Sequence, residues 1–311
     1  MKAVRLHDYG DPEVLVYEEA PRPEPAAHEV LIRIRGAGVN PADWKIRQGY
    51  LKDKFPFPLP LIPGYDLAGI VEAKGSQVTD FAVGSEVFAM LPLNQLGAYA
   101  EYVIADAALV APKPNTVDFT TAAGIPSIAL TAWQALFDLA ELQPGQTVLI
   151  HGAAGGVGQF AVQFARWKGA MLIIGTASTR NLTTIQQLGV NVAIDYTSER
   201  FEDVGTHVDV VLDTVGGKTR QRSWPVLKPG GILVSTEGAA DPVVAPSTQI
   251  RGMPLFVTPR DNAQLRQIGE LIDNGTIQPP TVETFALQDA AQVHRAIQHD
   301  QRRGKFVLQV G

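Results

Sequence analysis

The sequence predicts an α/β protein of two domains, one built on a doubly wound parallel sheet and one mainly of antiparallel strands. The chain has 311 residues and a domain takes about 150, so the length suggests two domains. Residues 142–235 alternate short apolar runs with helical patterns. Residues 1–125 hold many short apolar segments separated by Gly and Pro. We expect 126–258 to form the parallel domain, and 1–125 with 259–311 to form a discontinuous β domain.

The parallel domain begins at the apolar run 148–150, which follows the turn signal Pro144-Gly145 and suits a strand covered on both faces. After residues 151–156, apolar residues recur at helical spacing from Val157 to Ala165. Further strand and helix patterns then alternate, at 171–175, 179–189, 192–196, 208–216, a helical stretch to about Leu227, and 230–235. This alternation indicates successive βαβ units.

Charge and composition exclude several classes of protein. The net charge of −6 disfavours a nucleic-acid binder, and the densest basic cluster is only Arg302, Arg303 and Lys305. The first residues lack the apolar core of a signal peptide, and no apolar run reaches the roughly 18 residues of a membrane span. We therefore predict a cytoplasmic protein with no membrane partner.

Metal chemistry is disfavoured because the sequence has no cysteine, which excludes disulfides, thiol nucleophiles and thiolate zinc sites. The six histidines form no HExxH motif and no close pair. His294 and His299 fall on a polar helix, where we interpret them as surface residues. The prediction is that the protein has no metal site.

The glycine-rich stretch HGAAGGVG, residues 151–158, lies between the predicted central strand and its helix. Ala153, Gly155 and Gly158 occupy the three small-residue positions of the G-x-G-x-x-G pattern. Small residues there let the backbone approach a pyrophosphate, which the amides of the helix N-terminus then bind. The alternative is a tight turn that packs the helix closely and binds nothing. The strand-and-helix context favours a dinucleotide.

The residues after the next strand favour NADPH over NADH. NAD sites place an acid about 20 residues beyond the glycines, against the ribose 2′-hydroxyl. This chain has no Asp or Glu from Gln159 through Ile194. Thr176, Ser178 and Arg180 stand there instead, and hydroxyl and guanidinium groups suit a 2′-phosphate. In the alternative, Ser178 caps a helix and Arg180 is a solvated first-turn residue.

The chain resembles the zinc-independent quinone oxidoreductase branch of the medium-chain dehydrogenase/reductases. The likeness runs nearly end to end, through motifs that are weak singly and specific jointly: GDPEVL (10–15), GVNPADWKIRQG (38–49), PGYDLAG (63–69), ALTAWQAL (129–136), AAGGVG (153–158), DTVGG (213–217) and GKFVL (304–308). The resemblance implies a GroES-like β domain that carries the substrate side and a Rossmann domain that binds NADP.

The resemblance also implies the chemistry. Asn40 and Tyr65 stand where zinc-containing relatives have a cysteine and a histidine. Without a metal to polarise an alcohol, the implied reaction is hydride transfer from NADPH to a quinone or an α,β-unsaturated carbonyl. An enoyl-thioester or 2-alkenal reductase of the same fold is the alternative among enzymes. A non-catalytic, crystallin-like NADPH-binding protein is the alternative outside them.

Carried over position by position, the cofactor contacts are Thr131, Ala153, Gly155, Gly156, Val157, Gly158, Ser178, Arg180, Tyr196, Gly238 and Lys305, to which the residues themselves add Thr176. The candidate catalytic residues are Asn40, Lys45, Tyr50 and Tyr65. Some of these residues also have a purely structural interpretation. Asn40 and Asp43 could cap a helix that begins near Pro41. Thr131 could be an ordinary helix residue, and Tyr196 could be a strand-end residue without a cofactor contact.

The proton donor is left open, because Lys45 stands where relatives often have a tyrosine. Tyr50, Tyr65 and solvent are the other sources. The segment 253–259 falls where relatives pair subunits through an extra edge strand, so the resemblance implies a homodimer. The alternative is a covered edge.

Overall fold

The structure is a computed structural model that describes residues 1–237, 243–299 and 304–311. Gly238, a predicted cofactor contact, lies outside the described residues. The chain divides into two compact units. The first unit comprises Met1–Ser127, Thr258–Gly275 and Pro279–Gly311, and the second comprises Ile128–Val257 and Thr276–Gln278.

The strands, in chain order, are β1 (Lys2–Leu6), β2 (Leu15–Glu19), β3 (Glu29–Gly38), β4 (Asp66–Lys74), β5 (Glu86–Met90), β6 (Tyr102–Asp106), β7 (Val110–Pro112), β8 (Thr147–Ile150), β9 (Leu172–Ala177), β10 (Val192–Asp195), β11 (Val208–Asp213), β12 (Leu227–Ser235), β13 (Arg251–Pro254), β14 (Val282–Ala286) and β15 (Lys305–Gln309). The helices are α1 (Pro41–Arg47), α2 (Phe119–Ala123), α3 (Pro126–Trp133), α4 (Gly156–Lys168), α5 (Leu182–Leu188), α6 (Gly217–Ser223), α7 (Ala263–Asp273) and α8 (Ala290–His299).

The first unit contains a seven-stranded sheet and a two-stranded sheet. The larger has the order β14-β15-β3-β4-β5-β7, with β6 also paired to β3, and the smaller pairs β1 with β2. Among the strands that the structure describes in this unit, every pairing is antiparallel except that of β14 with β15. Strand β15 joins the sheet beside β3, with Val307 opposite Gly38.

Strand β3 is the centre of this sheet, and its two ends differ in chemistry. Val30, Ile32 and Ile34 are buried apolar residues, whereas the last part of the strand carries glycines. A Cβ at Gly38 would lie 2.4 Å from Ala123 O and 2.9 Å from the Asp66 Cβ. The absence of a side chain therefore lets α2 and the start of β4 approach this end of β3 closely.

The second unit contains a six-stranded parallel sheet with the order β10-β9-β8-β11-β12-β13. From β8 the chain adds strands first on one side, through β9 and β10, and then on the other. Strand β8 therefore lies at the switch point of a doubly wound sheet, where ligands of such sheets bind. All four of its residues are buried, as its unbroken apolar run predicts.

The core of this sheet is aliphatic, with Leu149, Ile174, Val211 and Leu233 from four neighbouring strands in one cluster. The predicted fold class is confirmed: a mainly antiparallel GroES-like domain together with a parallel Rossmann-like domain. Within the described ranges, no helix combines the length and the apolar character needed to cross a bilayer.

Candidate cofactor and active sites

The glycine-rich turn runs from the end of β8 to the start of α4. Gly152 has a φ of +67°, which L side chains rarely adopt. A Cβ on Gly158 would lie 2.2 Å from Gly152 O and 2.7 Å from the Ala153 Cα, so only glycine lets α4 pack on this turn. Gly155, at the N-cap of α4, is exposed. The first-turn amides of α4 have no partners within the helix and can bind an anion.

Beneath this turn, His151 is fixed on both sides of its ring. Its Nε2 lies 2.9 Å from Ser223 Oγ, and its Nδ1 lies 3.2 Å from Thr176 Oγ1. Ser223 donates its own proton to Thr219 O, so its oxygen must accept from His151 Nε2–H. Burial lowers the His151 pKa to about 4, so the ring is neutral near pH 7. His151 is thus a buried packing residue whose two ring nitrogens are both hydrogen-bonded inside the protein.

Thr176, predicted near the cofactor, faces this histidine. Because Nδ1 of the neutral ring is an acceptor, the Thr176 hydroxyl donates to it. Thr176 Oγ1 in turn lies 3.4 Å from the Gly152 amide, and the side chain is 3% exposed. These contacts link the end of β9 to the glycine turn through His151. The Thr176 hydroxyl proton is already used in the hydrogen bond to His151, inside the protein.

The predicted 2′-phosphate residues follow the ends of β9 and β10. Ser178 makes no capping bond to the short helix Thr179–Asn181, although it precedes that helix. Arg180 is exposed, and Tyr196 is 54% exposed directly after β10. The amide of Tyr196 donates to Ala177 O at 3.1 Å, so these two strand ends lie side by side.

A further residue of this edge, Asp213, was not among the predicted site residues. It is fully buried at the end of β11 and accepts from the amides of Val215 and Gly216 at 3.0 and 2.8 Å. Its other oxygen accepts from Ser235 Oγ, at the end of β12. Asp213 therefore joins the carboxyl ends of two strands, and the DTVGG motif was its only signal in the sequence.

Thr131, the predicted nicotinamide contact, lies on α3 and is 8% exposed.

In the first unit, a buried polar cluster forms where β3, β4 and β15 come together. It consists of Asn40, Asp66, Ser127 and Lys305, each at most 6% exposed. Asn40 Nδ2 donates to Asp66 Oδ2 at 2.9 Å, and the Ser127 amide donates to Asp66 Oδ1 at 3.0 Å. Lys305 Nζ donates to Asn40 Oδ1 and, at 3.4 Å, to Asp66 Oδ2. The sequence predicted Asn40 and Lys305, but not that they touch each other.

The cluster contains an ion pair between Lys305 and Asp66, and the neighbouring polar groups supply hydrogen bonds to it. Burial lowers the Lys305 pKa, and the carboxylates of Asp66 and Asp43 oppose that shift. Ser127 Oγ lies 2.8 Å from Asn40 Oδ1 and also contacts Asp66 Oδ2. Asp66 and Ser127 were missed by sequence reasoning, and the PGYD motif was the only pointer to Asp66.

A second buried chain of polar groups runs from α1 to α8. The Asn40 amide donates to Asp43 Oδ2 at 2.7 Å, so the predicted helix does begin at Pro41. Tyr99 Oη donates to the same oxygen at 3.1 Å and lies 3.2 Å from His294 Nε2. Burial raises the Asp43 pKa to about 7.

The prediction that His294 is a surface residue is wrong, because its side chain is fully buried. Helix α8 is amphipathic, and position 294 falls on its inner face beside Tyr99, with the rings 5.8 Å apart. Burial and the Arg47 charge lower the His294 pKa to about 3. A polar composition indicates that a helix has an exposed face, but it does not show that residue 294 lies on the inner face.

The remaining candidate catalytic residues are separated by exposure. Tyr65 is 5% exposed and hydrogen-bonds with Ser127; burial raises its pKa well above the ordinary value. Tyr50 is 69% exposed and packs edge-on against Trp44 at 6.0 Å. Lys45 is half-buried, with its Nζ 5.8 Å from the centre of the Trp44 ring. Tyr65 therefore borders the buried cluster.

Across the described part of the chain, no group of three or more His, Cys, Asp or Glu side chains is arranged to hold a metal ion.

Comparison with known proteins gives the family. Residues 26–115 match an alcohol dehydrogenase GroES-like domain, and residues 188–308 match a zinc-binding dehydrogenase family. The chain is 37% identical to an NADPH-dependent alkenal/one oxidoreductase of Arabidopsis thaliana, over 90% of this chain and 71% of that protein. It is 33% identical to the quinone oxidoreductase of Rattus norvegicus, over 99% and 97% of the two chains.

Solved structures agree with these relatives. A quinone oxidoreductase from Coxiella burnetii superposes with a TM-score of 0.92 at 34% identity, covering 100% of this chain and 99% of that one. A mycobacterial protein in complex with NADPH superposes with a TM-score of 0.87 at 28% identity and full coverage of both chains. The resemblance seen in the sequence is confirmed, and the chain belongs to the quinone oxidoreductase-like branch of the medium-chain dehydrogenase/reductase superfamily.

Proposed function

We propose that this chain is an NADPH-dependent, zinc-free oxidoreductase that transfers hydride to a quinone or an α,β-unsaturated carbonyl. The observation that carries the proposal is the turn after β8. It lies at the switch point of a doubly wound sheet, and a Cβ at Gly158 would collide with the backbone at 2.2 Å. Relatives named as quinone oxidoreductases and as an alkenal/one oxidoreductase give the acceptor class.

In this proposal the chain binds the dinucleotide at three places. Ala153, Gly155, Gly156, Val157 and Gly158 bring backbone amides to the pyrophosphate. Ser178, Arg180 and Tyr196 bind the 2′-phosphate, because hydroxyls and a guanidinium suit a dianion. Thr131 and the backbone of Gly238 orient the nicotinamide.

The bound cofactor supplies a hydride from its nicotinamide ring, and a two-electron reduction of the acceptor then takes one proton. We assign Asn40 and Lys305 a positioning role, since both are buried in contact with Asp66. Tyr65 stays protonated near pH 7, because burial raises its pKa. Lys45 and Tyr50 are the more accessible candidates for delivering the proton, and solvent is the third source.

Two finer features also belong to the proposal. We expect a cytoplasmic homodimer in which the segment 253–259 pairs the subunits. Strand β13, which overlaps this segment, lies at one end of the described parallel sheet. The net charge of −6 argues against nucleic acid as a partner.

The test is an anaerobic titration with NADPH and NADH, followed by stopped-flow mixing of the complex with quinones, enones and enoyl thioesters. We expect NADPH to bind at least about tenfold tighter than NADH, as one or two phosphate contacts provide. Oxidation by quinones or enones supports the proposal, and selective oxidation by enoyl thioesters favours that alternative. Tight binding with no oxidation by any acceptor identifies a binding protein, and binding of neither nucleotide refutes the proposal.

A further inference from the structure

One acid, Asp195, lies beside the residues to which we assign the 2′-phosphate. It is the last residue of β10, directly before Tyr196, and it is 6% exposed. An ionised carboxylate near a phosphate would ordinarily weaken NADPH binding through repulsion. NAD-type sites use such an acid to accept a hydrogen bond from the ribose 2′-hydroxyl. The role of Asp195 depends on what its oxygens already bind.

Both oxygens of Asp195 accept hydrogen bonds from neighbouring threonines. Oδ1 accepts from the Thr197 amide at 3.0 Å and from the Thr197 hydroxyl at 2.6 Å. Oδ2 accepts from the Thr179 hydroxyl. These bonds, with that of Thr179 first, lower the Asp195 pKa, so the group is charged near pH 7. A carboxylate has about four acceptor positions, and most of these are used within the protein.

The Thr179 bond crosses from one strand end to the next. Thr179 opens the short helix Thr179–Asn181 and stands between Ser178 and Arg180. Asp195 pairs with Ala177 in the register of β10 and β9, and Tyr196 donates to Ala177 O. The carboxylate thus ties the segment that carries Ser178 and Arg180 to the turn that begins with Tyr196.

We propose that Asp195 is a positioning residue that selects NADPH over NADH, by holding the Ser178–Arg180 segment against the Tyr196 turn through Thr179. This inference rests on the proposed function, because it assumes that these three residues bind the 2′-phosphate. Asp195 acts through its neighbours and does not itself touch the cofactor. Its charge is compensated by threonine donors, which leaves the phosphate to Ser178, Arg180 and Tyr196.

The experiment compares the affinities of NADPH and NADH, and of 2′,5′-ADP and 5′-ADP, in four proteins: wild type, Asp195→Ala, Thr179→Val and Glu199→Gln. Glu199→Gln is the matched control, because it removes one exposed negative charge from the same turn without touching the threonines. We expect Asp195→Ala and Thr179→Val each to weaken NADPH and 2′,5′-ADP by about tenfold. Binding of NADH and 5′-ADP should change less than about twofold, which a general folding defect would not allow.

The double variant Asp195→Ala/Thr179→Val adds a second criterion. If the two side chains act through their mutual bond, it should lose no more NADPH affinity than the worse single variant. Tighter NADPH binding by Asp195→Ala would mean that the carboxylate only repels phosphate, and it would overturn the inference. Equal losses for both nucleotides would overturn it as well. A wild type that does not prefer NADPH instead refutes the NADPH part of the proposed function.

Discussion

Lys305 Nζ lies 3.4 Å from Asp66 Oδ2, although 239 residues separate the two in the sequence. Neither side chain is more than 6% exposed. Asn40 lies between them in the network, since its Nδ2 donates to Asp66 while its Oδ1 accepts from Lys305. Both the nitrogen and the oxygen of the Asn40 side-chain amide are therefore hydrogen-bonded to the ion pair, which fixes the orientation of that amide.

Removing the cation should be costly. Lys305→Met leaves the Asp66 charge buried without its counter-ion, and breaking such a pair destabilises a protein by about 3–5 kcal/mol. The measurement is the free energy of unfolding by urea. Lys52→Met, at an exposed lysine, is the control and should stay within about 0.5 kcal/mol of wild type. Adding Asp66→Asn to Lys305→Met should restore part of the loss, and a larger loss would contradict the ion pair.

The glycine turn gives a prediction about affinity. In Gly158→Ala the new Cβ would meet backbone atoms at 2.2 and 2.7 Å, so the turn or α4 must shift. We expect NADPH affinity to fall by at least about tenfold, because the amides no longer converge on the pyrophosphate. Gly269→Ala tests the substitution itself in another helix, where the nearest atom is 3.6 Å away. Unchanged NADPH binding in Gly158→Ala would remove the main support for the turn as the pyrophosphate site.

His151 should make stability depend on pH. Its pKa is about 4 when folded and near 6.5 when unfolded, so the unfolded chain binds more protons between these values. The stabilisation is complete above about pH 6.5 and is lost towards pH 4, with a slope of up to about 1.4 kcal/mol per pH unit. Of the charged groups around it, Asp213 favours the protonated ring and Arg222 opposes it.

The check is the unfolding free energy of wild type and His151→Gln at several pH values from 4 to 7. The difference between the two proteins should shrink as the pH falls through this window. Comparing variants is necessary because Asp43, with a pKa raised to about 7, contributes the opposite slope over part of the same range. A difference that is constant with pH would show that His151 does not titrate as proposed.

The dimer prediction concerns the segment that follows β13. A proline at Phe256 removes a backbone amide beside this edge strand, and we expect it to weaken self-association. Light scattering at several concentrations measures the mass. Val83→Pro, in an exposed turn of the first unit, tests whether an unrelated proline has the same effect. A dimeric mass that Phe256→Pro leaves unchanged would favour the covered-edge alternative.

The parallel sheet was predictable because each strand is a short apolar run and each helix a periodic pattern. The run 148–150 became β8 within one residue, and the helical pattern that begins at Val157 became α4 (Gly156–Lys168). Buried parallel strands are apolar on both faces, so composition alone marks them. The glycine turn was equally predictable, because backbone segments that approach this closely require glycine, and the glycines are read directly from the sequence.

The buried polar groups were not predictable in the same way. Asp66, Ser127 and Lys305 come from three distant segments of the chain. No pattern in the sequence around any one of them indicates that these residues meet. His294 was misjudged because a polar helix still has one inner face, and a histidine there is indistinguishable from a solvated one by composition. Asp195 lies 40 residues beyond Gly155, about twice the spacing at which NAD sites place their acid, so that spacing did not point to it.

The pairing of β15 with β3 has a consequence for synthesis. Asp66 enters its sheet on β4, but its cation arrives only when residue 305 has left the ribosome and β15 has added to the sheet. Until then the carboxylate has no lysine beside it, and the first unit cannot be complete. The second unit takes almost all of its residues from one continuous stretch of chain, so it can fold while the first still waits for its last strand.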